Sequence, residues 1–284
     1  MASAVSKPQG RALASALKFS DQLAIWGGLA ALSALAWLYL ILMPMNMSAR
    51  AGAMDAMPAM SGMAGMSGMA GMAGMQMAPA ANPWSPAALW LTFLMWSVMM
   101  VAMMMPSASP MLTTYARIAE SRGGPARLRV WLFAAGYIAV WTGFSAAAAF
   151  AQAAMDHAAM LGGAMRVAPL VGGLILGLAG AYQLSPLKRR CLRQCQSPIG
   201  FLMTHWRDDS GGAFRMGLSH GAFCVGCCWM LMAVLFVAGV MNLVWVAALA
   251  AFVLIERVTR WGEAIATASG FALIASGLAL AALS

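Results

Sequence analysis

The feature that most constrains this chain is a succession of long apolar stretches separated by short polar segments. Their approximate bounds are 22–43, 87–105, 130–152, 168–186, 216–239, 242–256 and 264–283. Roughly 20 apolar residues cross the hydrocarbon core of a bilayer as one helix. Because 62% of the residues are hydrophobic and only 9% are charged, a soluble surface is excluded. We therefore predict an all-α, polytopic transmembrane helix bundle of about seven spans, or five or six if the short stretch 242–256 does not cross.

The basic residues predict the orientation of the bundle. With the N-terminus in the cytoplasm, all of the 17 Lys and Arg residues except Arg50 and Arg166 fall on the cytoplasmic side, as the positive-inside rule requires. Because these charges are confined to loops, we interpret them as topology signals and expect the lipid bilayer, not nucleic acid, as the partner. The predicted location is the bacterial inner membrane, with residues 1–21 in the cytoplasm and 22–43 as a retained signal anchor.

The segment 44–86 is a methionine-rich loop of low complexity. Methionines recur at every third position from Met57 to Met75, with glycines interleaved. Glycine at this density makes a helix costly in water, so we predict a disordered periplasmic loop. Thioether sulfur is a soft ligand that carries no proton, which suits Cu(I). Met60, Met63, Met66 and Met69 are therefore candidate ligands, and the alternative is a spacer whose methionines scavenge oxidants.

The stretch 87–105 also carries methionines at helical spacing. Met95, Met99 and Met103 stand four residues apart and line one face of a helix. Methionine is an adaptable core residue, so packing is one explanation of this stripe. The second explanation, which we predict, is that Met99 and Met103 are part of a path for a soft metal ion.

The stretch 216–239 contains a cluster of cysteines with one histidine. His220, Cys224 and Cys228 lie at i, i+4 and i+8, and Cys227 is one step around the helix. Two or three thiolates on one face suit linear or trigonal Cu(I), and zinc is a less favoured ion. The alternative is that the thiols are neutral core residues, since a buried thiolate without a cation is costly. We predict a metal site here.

A second cysteine pair lies on the predicted cytoplasmic side. Cys191 and Cys195 have i, i+4 spacing within a basic segment. A reducing cytosol argues against a structural disulfide, which leaves a metal entry or hand-off site or the packing of a short interfacial helix. We expect Glu256 to pair with Arg257 or Arg260 at the interface.

At these residues the sequence resembles a bacterial family of predicted metal-binding integral membrane proteins, sometimes labelled copper chaperones. The resemblance spans most of 85–284. It is carried by Trp96, Met99, Ala102, Met103, Met104, Pro106 and Ser107, by 181–188 with Cys191 and Cys195, by Gly217, His220, Gly221, Cys224, Gly226, Cys227, Cys228, Trp229 and Met232, and by Met241, Asn242, Trp245 and Glu256. The resemblance implies a multi-helix membrane fold and metal association, and it supplies no reaction. It assigns 87–284 as a metal-binding bundle.

The sequence alone is compatible with three functions. The first is a Cu(I)-handling membrane protein, not an enzyme, which relays the ion from thioethers to thiols and exchanges it with a periplasmic or cytoplasmic copper-carrier protein. The second is a membrane thiol–disulfide relay. The third is an accessory subunit whose sulfurs only pack. No catalytic residues are predicted, because no serine, histidine and acid arrangement is legible, and the sequence does not define the oligomeric state.

Overall fold

The structure is a computed structural model that describes residues 26–42, 84–122, 126–158, 167–240 and 242–282. These ranges are helical and contain no strand, which confirms the all-α class. The helices are α1 (Trp26–Leu42), α2 (Pro86–Ser121), α3 (Ala126–His157), α4 (Pro169–Gln183), α5 (Pro186–Gln196), α6 (Pro198–His205), α7 (Ser210–Ala233), α8 (Leu235–Ala238), α9 (Leu243–Val258) and α10 (Gly262–Ala282). The candidate ligands Met60, Met63, Met66 and Met69 lie outside the described residues.

Within the described residues, four helical segments are long and apolar enough to cross a membrane. They are α2, α3, α7 together with α8, and α10. A fifth would be α4 with α5, which meet at an angle of 64°. The predicted count of about seven spans is therefore not confirmed. The predicted span 168–186 ends early because Pro186 starts a new helix, which Ser185 caps by accepting a hydrogen bond from the Lys188 amide at 3.2 Å.

Helix α2 continues through two internal prolines. Pro106 has no amide hydrogen, so the carbonyl oxygen of Ala102 loses its usual partner within the helix. The indole of Trp37 on α1 donates to that oxygen at 3.2 Å. Pro106 therefore leaves the Ala102 carbonyl oxygen free to accept the hydrogen bond that attaches α1 to the middle of α2.

Two helix pairs approach each other closely at glycines. Where α3 crosses α7, a Cβ at Gly217 would overlap the carbonyl oxygen of Phe133, and one at Gly136 would overlap that of Phe214. Where α4 crosses α10, a Cβ at Gly173 would lie 2.8 Å from the carbonyl oxygen of Gly277. The sequence predicts this close packing, because Gly172, Gly173, Gly177 and Gly180 give the apolar stretch 168–186 a small-residue face, and the structure confirms it.

Helix α9 is short, and one side of its last turn is buried. Its 16 residues extend about 24 Å, whereas the 29 residues of Ser210–Ala238 extend about 43 Å. Helix α9 packs against α2, α5 and α7. Glu256 and Arg257 in its last turn are 0% and 5% exposed, so this turn places two ionisable side chains within the bundle.

Candidate metal centre

The structure brings Cys191 and Cys195 of α5 against the cysteines of α7. Lys188, Cys191 and Leu192 form the buried face of α5, and Cys195 extends that face by one turn. The Cys195 Sγ lies 3.9 Å from the Cys227 Sγ. The Cys191 sulfur lies against Gly226, where an added Cβ would be 2.8 Å from it. The two cysteine groups that the sequence suggested separately therefore form one cluster of five free thiols.

Within α7, the thiols are held by local hydrogen bonds. Cys227 and Cys228 each donate to the carbonyl oxygen of Cys224 at 3.1 Å. The Cys224 Sγ lies 2.9 Å from the hydroxyl oxygen of Tyr137 on α3, and that hydroxyl is 3.2 Å from the carbonyl oxygen of Met104. Since a hydroxyl has a single hydrogen, Tyr137 donates to Met104 and accepts from the Cys224 thiol.

Arg257 inserts its guanidinium group among these thiols. One terminal nitrogen donates to the Ser107 Oγ at 2.7 Å. The other lies 3.1 Å from the Cys228 Sγ, 3.3 Å from the Cys227 Sγ and 3.2 Å from the Cys224 carbonyl oxygen. A buried guanidinium is costly without an anion. The thiols are thus in contact with a permanent positive charge that would stabilise a thiolate.

The expected pairing of Glu256 with Arg257 or Arg260 is wrong. Glu256 pairs with Lys188 of α5, with a closest approach of 2.8 Å, and both side chains are 0% exposed. The assignment of Lys188 and Arg257 to charged cytoplasmic loops is also wrong, because both side chains are buried within the protein. The reason is that Glu256 and Arg257 lie on the side of the last turn of α9 that packs into the bundle, whereas Ile255 and Val258 of the same turn are exposed.

His220 is buried one turn before Cys224 but lies in an aromatic environment. Its ring centroid is 5.7 Å from that of Tyr137, 6.0 Å from that of Phe133 and 5.4 Å from that of Phe201. Its Nδ1 has no hydrogen-bond partner within the described ranges. The structure therefore places His220 beside the thiol cluster, where its stacking partner Tyr137 links it to Cys224.

The methionines of α2 are core residues in the structure. Met99 and Met103 are each 1% exposed and belong to the same hydrophobic core as the thiols. The contacts from α2 to the thiol cluster are made by Ser107 and by the carbonyl oxygen of Met104, through Arg257 and Tyr137. Burial of the stripe fits both packing and ligation.

Sequence reasoning did not identify Arg257, Tyr137 or Ser107 as parts of this centre. A signal existed for Arg257, because it follows Glu256 directly at the end of an apolar stretch that is too short to span.

In the part of the chain that the structure describes, no group of three or more His, Cys, Asp or Glu side chains is arranged to hold a metal ion. The closest donor arrangement is the pair of sulfurs of Cys195 and Cys227.

The comparisons with known proteins identify a family. A family model described as copper chaperone matches residues 93–280, a range that holds all five cysteines, Tyr137 and Arg257 and leaves the methionine-rich loop outside. No curated protein and no solved structure matches the chain. Because the matched range covers more than half of the 284 residues, the chain belongs to the copper chaperone family.

Proposed function

We propose that this protein binds Cu(I) between cysteine sulfurs inside a helix bundle of the bacterial inner membrane. The observation that supports this most directly is the 3.9 Å distance between the sulfurs of Cys195 and Cys227. Metal–thiolate bonds are about 2.3 Å long in zinc sites, so two sulfurs on one ion are at most about 4.6 Å apart. The observed separation lies within this limit, so both sulfurs could bind one ion.

Cu(I) fits this arrangement better than zinc. Cu(I) prefers soft sulfur and is satisfied by two ligands, whereas structural zinc takes four. The described residues offer a pair of adjacent sulfurs and no group of three or more donors. The description of the family supports copper as the ion, and handling of an ion by a chaperone requires no catalysis.

Transfer would proceed by exchange of sulfur ligands. Cys191, Cys224 and Cys228 surround the proposed pair and offer successive partners, with His220 beside them. Met99 and Met103 are the proposed thioether approach from the periplasmic side, where Met60, Met63, Met66 and Met69 would capture the ion. A soluble copper carrier would exchange copper with the protein at the membrane surface.

The test is the copper content of protein purified without oxygen in detergent. We expect Cys195→Ser and Cys227→Ser to lose most of the Cu(I) that the wild type holds. Arg193→Gln is the control from the same helix, because this side chain is exposed and pairs with Glu263 away from the thiols. Equal copper in all four proteins would refute the proposal and leave the thiols as packing residues.

The role of the methionine-rich loop needs its own experiment. Deletion of residues 54–77 removes the repeat and leaves 93–280, the range matched by the family model, unchanged. We expect the deleted protein to bind fewer Cu(I) ions in total while retaining the ion held by Cys195 and Cys227. Unchanged total copper would assign the loop to a spacer role.

A thiol–disulfide carrier is the second candidate, since the same 3.9 Å distance favours it. One cysteine thiolate would attack a disulfide oxidant and expel a first thiol, forming a mixed disulfide. The second cysteine thiolate would attack that mixed disulfide, join the sulfurs of Cys195 and Cys227 and expel the second thiol, so that two electrons and two protons pass to the oxidant. Incubation with oxidised glutathione in the absence of metal should then yield a peptide cross-linked between these residues. Failure to form the cross-link, with copper binding intact, would exclude the carrier role.

A further inference from the structure

The surroundings of Arg257 hold one positive charge without a fixed negative partner. Lys188 and Glu256 cancel each other in a pair that is 0% exposed on both sides. Arg257 is only 5% exposed, and its guanidinium contacts a hydroxyl, a carbonyl oxygen and two thiol sulfurs. In the described part of the chain no carboxylate forms an ion pair with it. The thiols are therefore the ionisable groups in contact with Arg257, and loss of a thiol proton on metal binding would supply its counter-charge.

The charge of a metal–thiolate complex depends on the ion. A cysteine binds metal as the thiolate, so two thiolates with one monovalent ion carry a net charge of minus one. With a divalent ion the same two thiolates are neutral, and Arg257 is left uncompensated. A divalent ion would need a third thiolate for balance, and no three-donor group exists in the described ranges. An unpaired buried charge is strongly unfavourable.

We propose that Arg257 is the residue that selects for a monovalent soft metal ion, by neutralising the anionic complex that such an ion forms with two thiolates. This inference rests on the proposed function. Arg257 acts through its charge and is not itself a ligand. Its double contact with Cys227 and Cys228 places that charge beside the sulfur that also faces Cys195.

Competition between Ag(I) and Zn(II) tests the selection, because Ag(I) has the charge and softness of Cu(I) and is not oxidised under the assay conditions. We expect Arg257→Gln to lower the affinity for Ag(I) by about 10- to 100-fold, as loss of a residue that supports metal ligands does. Its Zn(II) affinity should stay constant or rise. Arg260→Gln, three residues further on and exposed, is the matched control and should keep the affinities of the wild type.

Arg257→Lys separates charge from hydrogen-bond geometry. It keeps the positive charge but loses the fork that reaches Ser107 and the sulfurs at once, so we expect it to retain the preference for Ag(I) over Zn(II). If Arg257→Gln folds and binds Ag(I) like the wild type, or loses both ions equally, the inference is refuted. If Arg257→Gln does not fold, loss of the preference in Arg257→Lys refutes it. A wild type that binds neither ion refutes the proposed function itself.

Discussion

The hydroxyl of Tyr137 connects three helices at one atom. It donates to the Met104 carbonyl oxygen of α2 and accepts from the Cys224 thiol of α7. Its ring stacks on that of His220. A single oxygen on α3 therefore fixes the position of one sulfur relative to both neighbouring helices.

Tyr137→Phe should lower the free energy of unfolding by about 1 kcal/mol, since it removes buried hydrogen bonds without changing the shape of the ring. Tyr115→Phe is the matched control. Tyr115 is 0% exposed, and its hydroxyl has no hydrogen-bond partner within the described residues, so its removal should be neutral or stabilising. The measurement is thermal unfolding in detergent, and equal losses in the two variants would contradict the role of the Tyr137 hydroxyl.

Asp208, in the segment between α6 and α7, makes the stability of the folded protein depend on pH. The Trp206 indole donates to its carboxylate at 2.7 Å, and Arg122 lies 3.4 Å away. The hydrogen bond from Trp206, followed by the charge of Arg122, holds the pKa of Asp208 below its usual value. The folded protein therefore binds this proton less readily than the unfolded chain does.

The stabilisation by Asp208 should be complete above the unfolded pKa, which is about 3.9, and should be lost as pH falls through the lower folded value. Asp208→Asn should remove this part of the pH dependence. Melting temperatures in detergent between pH 6 and the acid limit of solubility will show it. Parallel curves for the variant and the wild type would contradict the prediction.

At the level of helices, the crossing of α3 and α7 determines where Tyr137 meets Cys224. Gly217→Ala would place a methyl group against the carbonyl oxygen of Phe133, which cannot move without the α3 backbone. We expect a loss of about 1–3 kcal/mol in stability, as for other overpacked positions. Gly143→Ala on α3 is the control, because nothing lies within 4 Å of its added Cβ, and it should be stabilising by up to about 1 kcal/mol.

Gly217→Ala should also leave the cysteine thiols less protected from alkylation. Alkylation by a membrane-permeant maleimide should be faster in this variant than in Gly143→Ala. If both variants react at the rate of the wild type and melt at the same temperature, close packing at this crossing does not hold the thiols in place.

Much of the helical structure could be predicted from the sequence because apolar length and small-residue spacing are local properties. The glycine face of α4 is one example, since its partner helix was not needed to recognise it. The break at Pro186 was missed because the apolar run continues to Leu187. The termination of α4 depends on a capping serine and a proline at the start of the next helix, and these override hydropathy.

At the scale of the whole molecule, the pair of Lys188 and Glu256 attaches α5 to α9. Both side chains are 0% exposed, and the closest distance between them is 2.8 Å. The amide of Gln196 adds a second attachment by donating to the Glu256 carbonyl oxygen at 2.8 Å. These contacts hold the Cys195 end of α5 beside α7.

Lys188→Met should destabilise the protein by about 3–5 kcal/mol, because it leaves a buried carboxylate without its cation. The double variant Lys188→Met with Glu256→Leu should recover most of that loss. Disruption of the exposed pair Arg193 and Glu263 by Arg193→Gln is the control and should change the melting temperature little. A double variant that is no more stable than Lys188→Met would show that the pair is not the reason for the loss.

The assembly of the centre could not be predicted, because its parts are distant in the sequence. Spacing within 220–228 indicated the thiol face of α7 correctly. No pattern in the sequence indicated that α5 folds back onto this face, or that Arg257 approaches from α9. Those placements depend on the length of α9 relative to α7 and on the bend between α4 and α5, which are tertiary properties.

The burial of Glu256 and Arg257, which lie late in the sequence, also determines the order in which the centre can assemble during synthesis. All five sulfurs emerge from the ribosome before Glu256 and Arg257 do. Until α9 has packed into the bundle, Lys188 lacks its carboxylate and the thiols lack their guanidinium. A nascent chain that stops before residue 256 therefore carries every cysteine without these charge partners, and the proposed binding of an ion would have to follow the packing of α9.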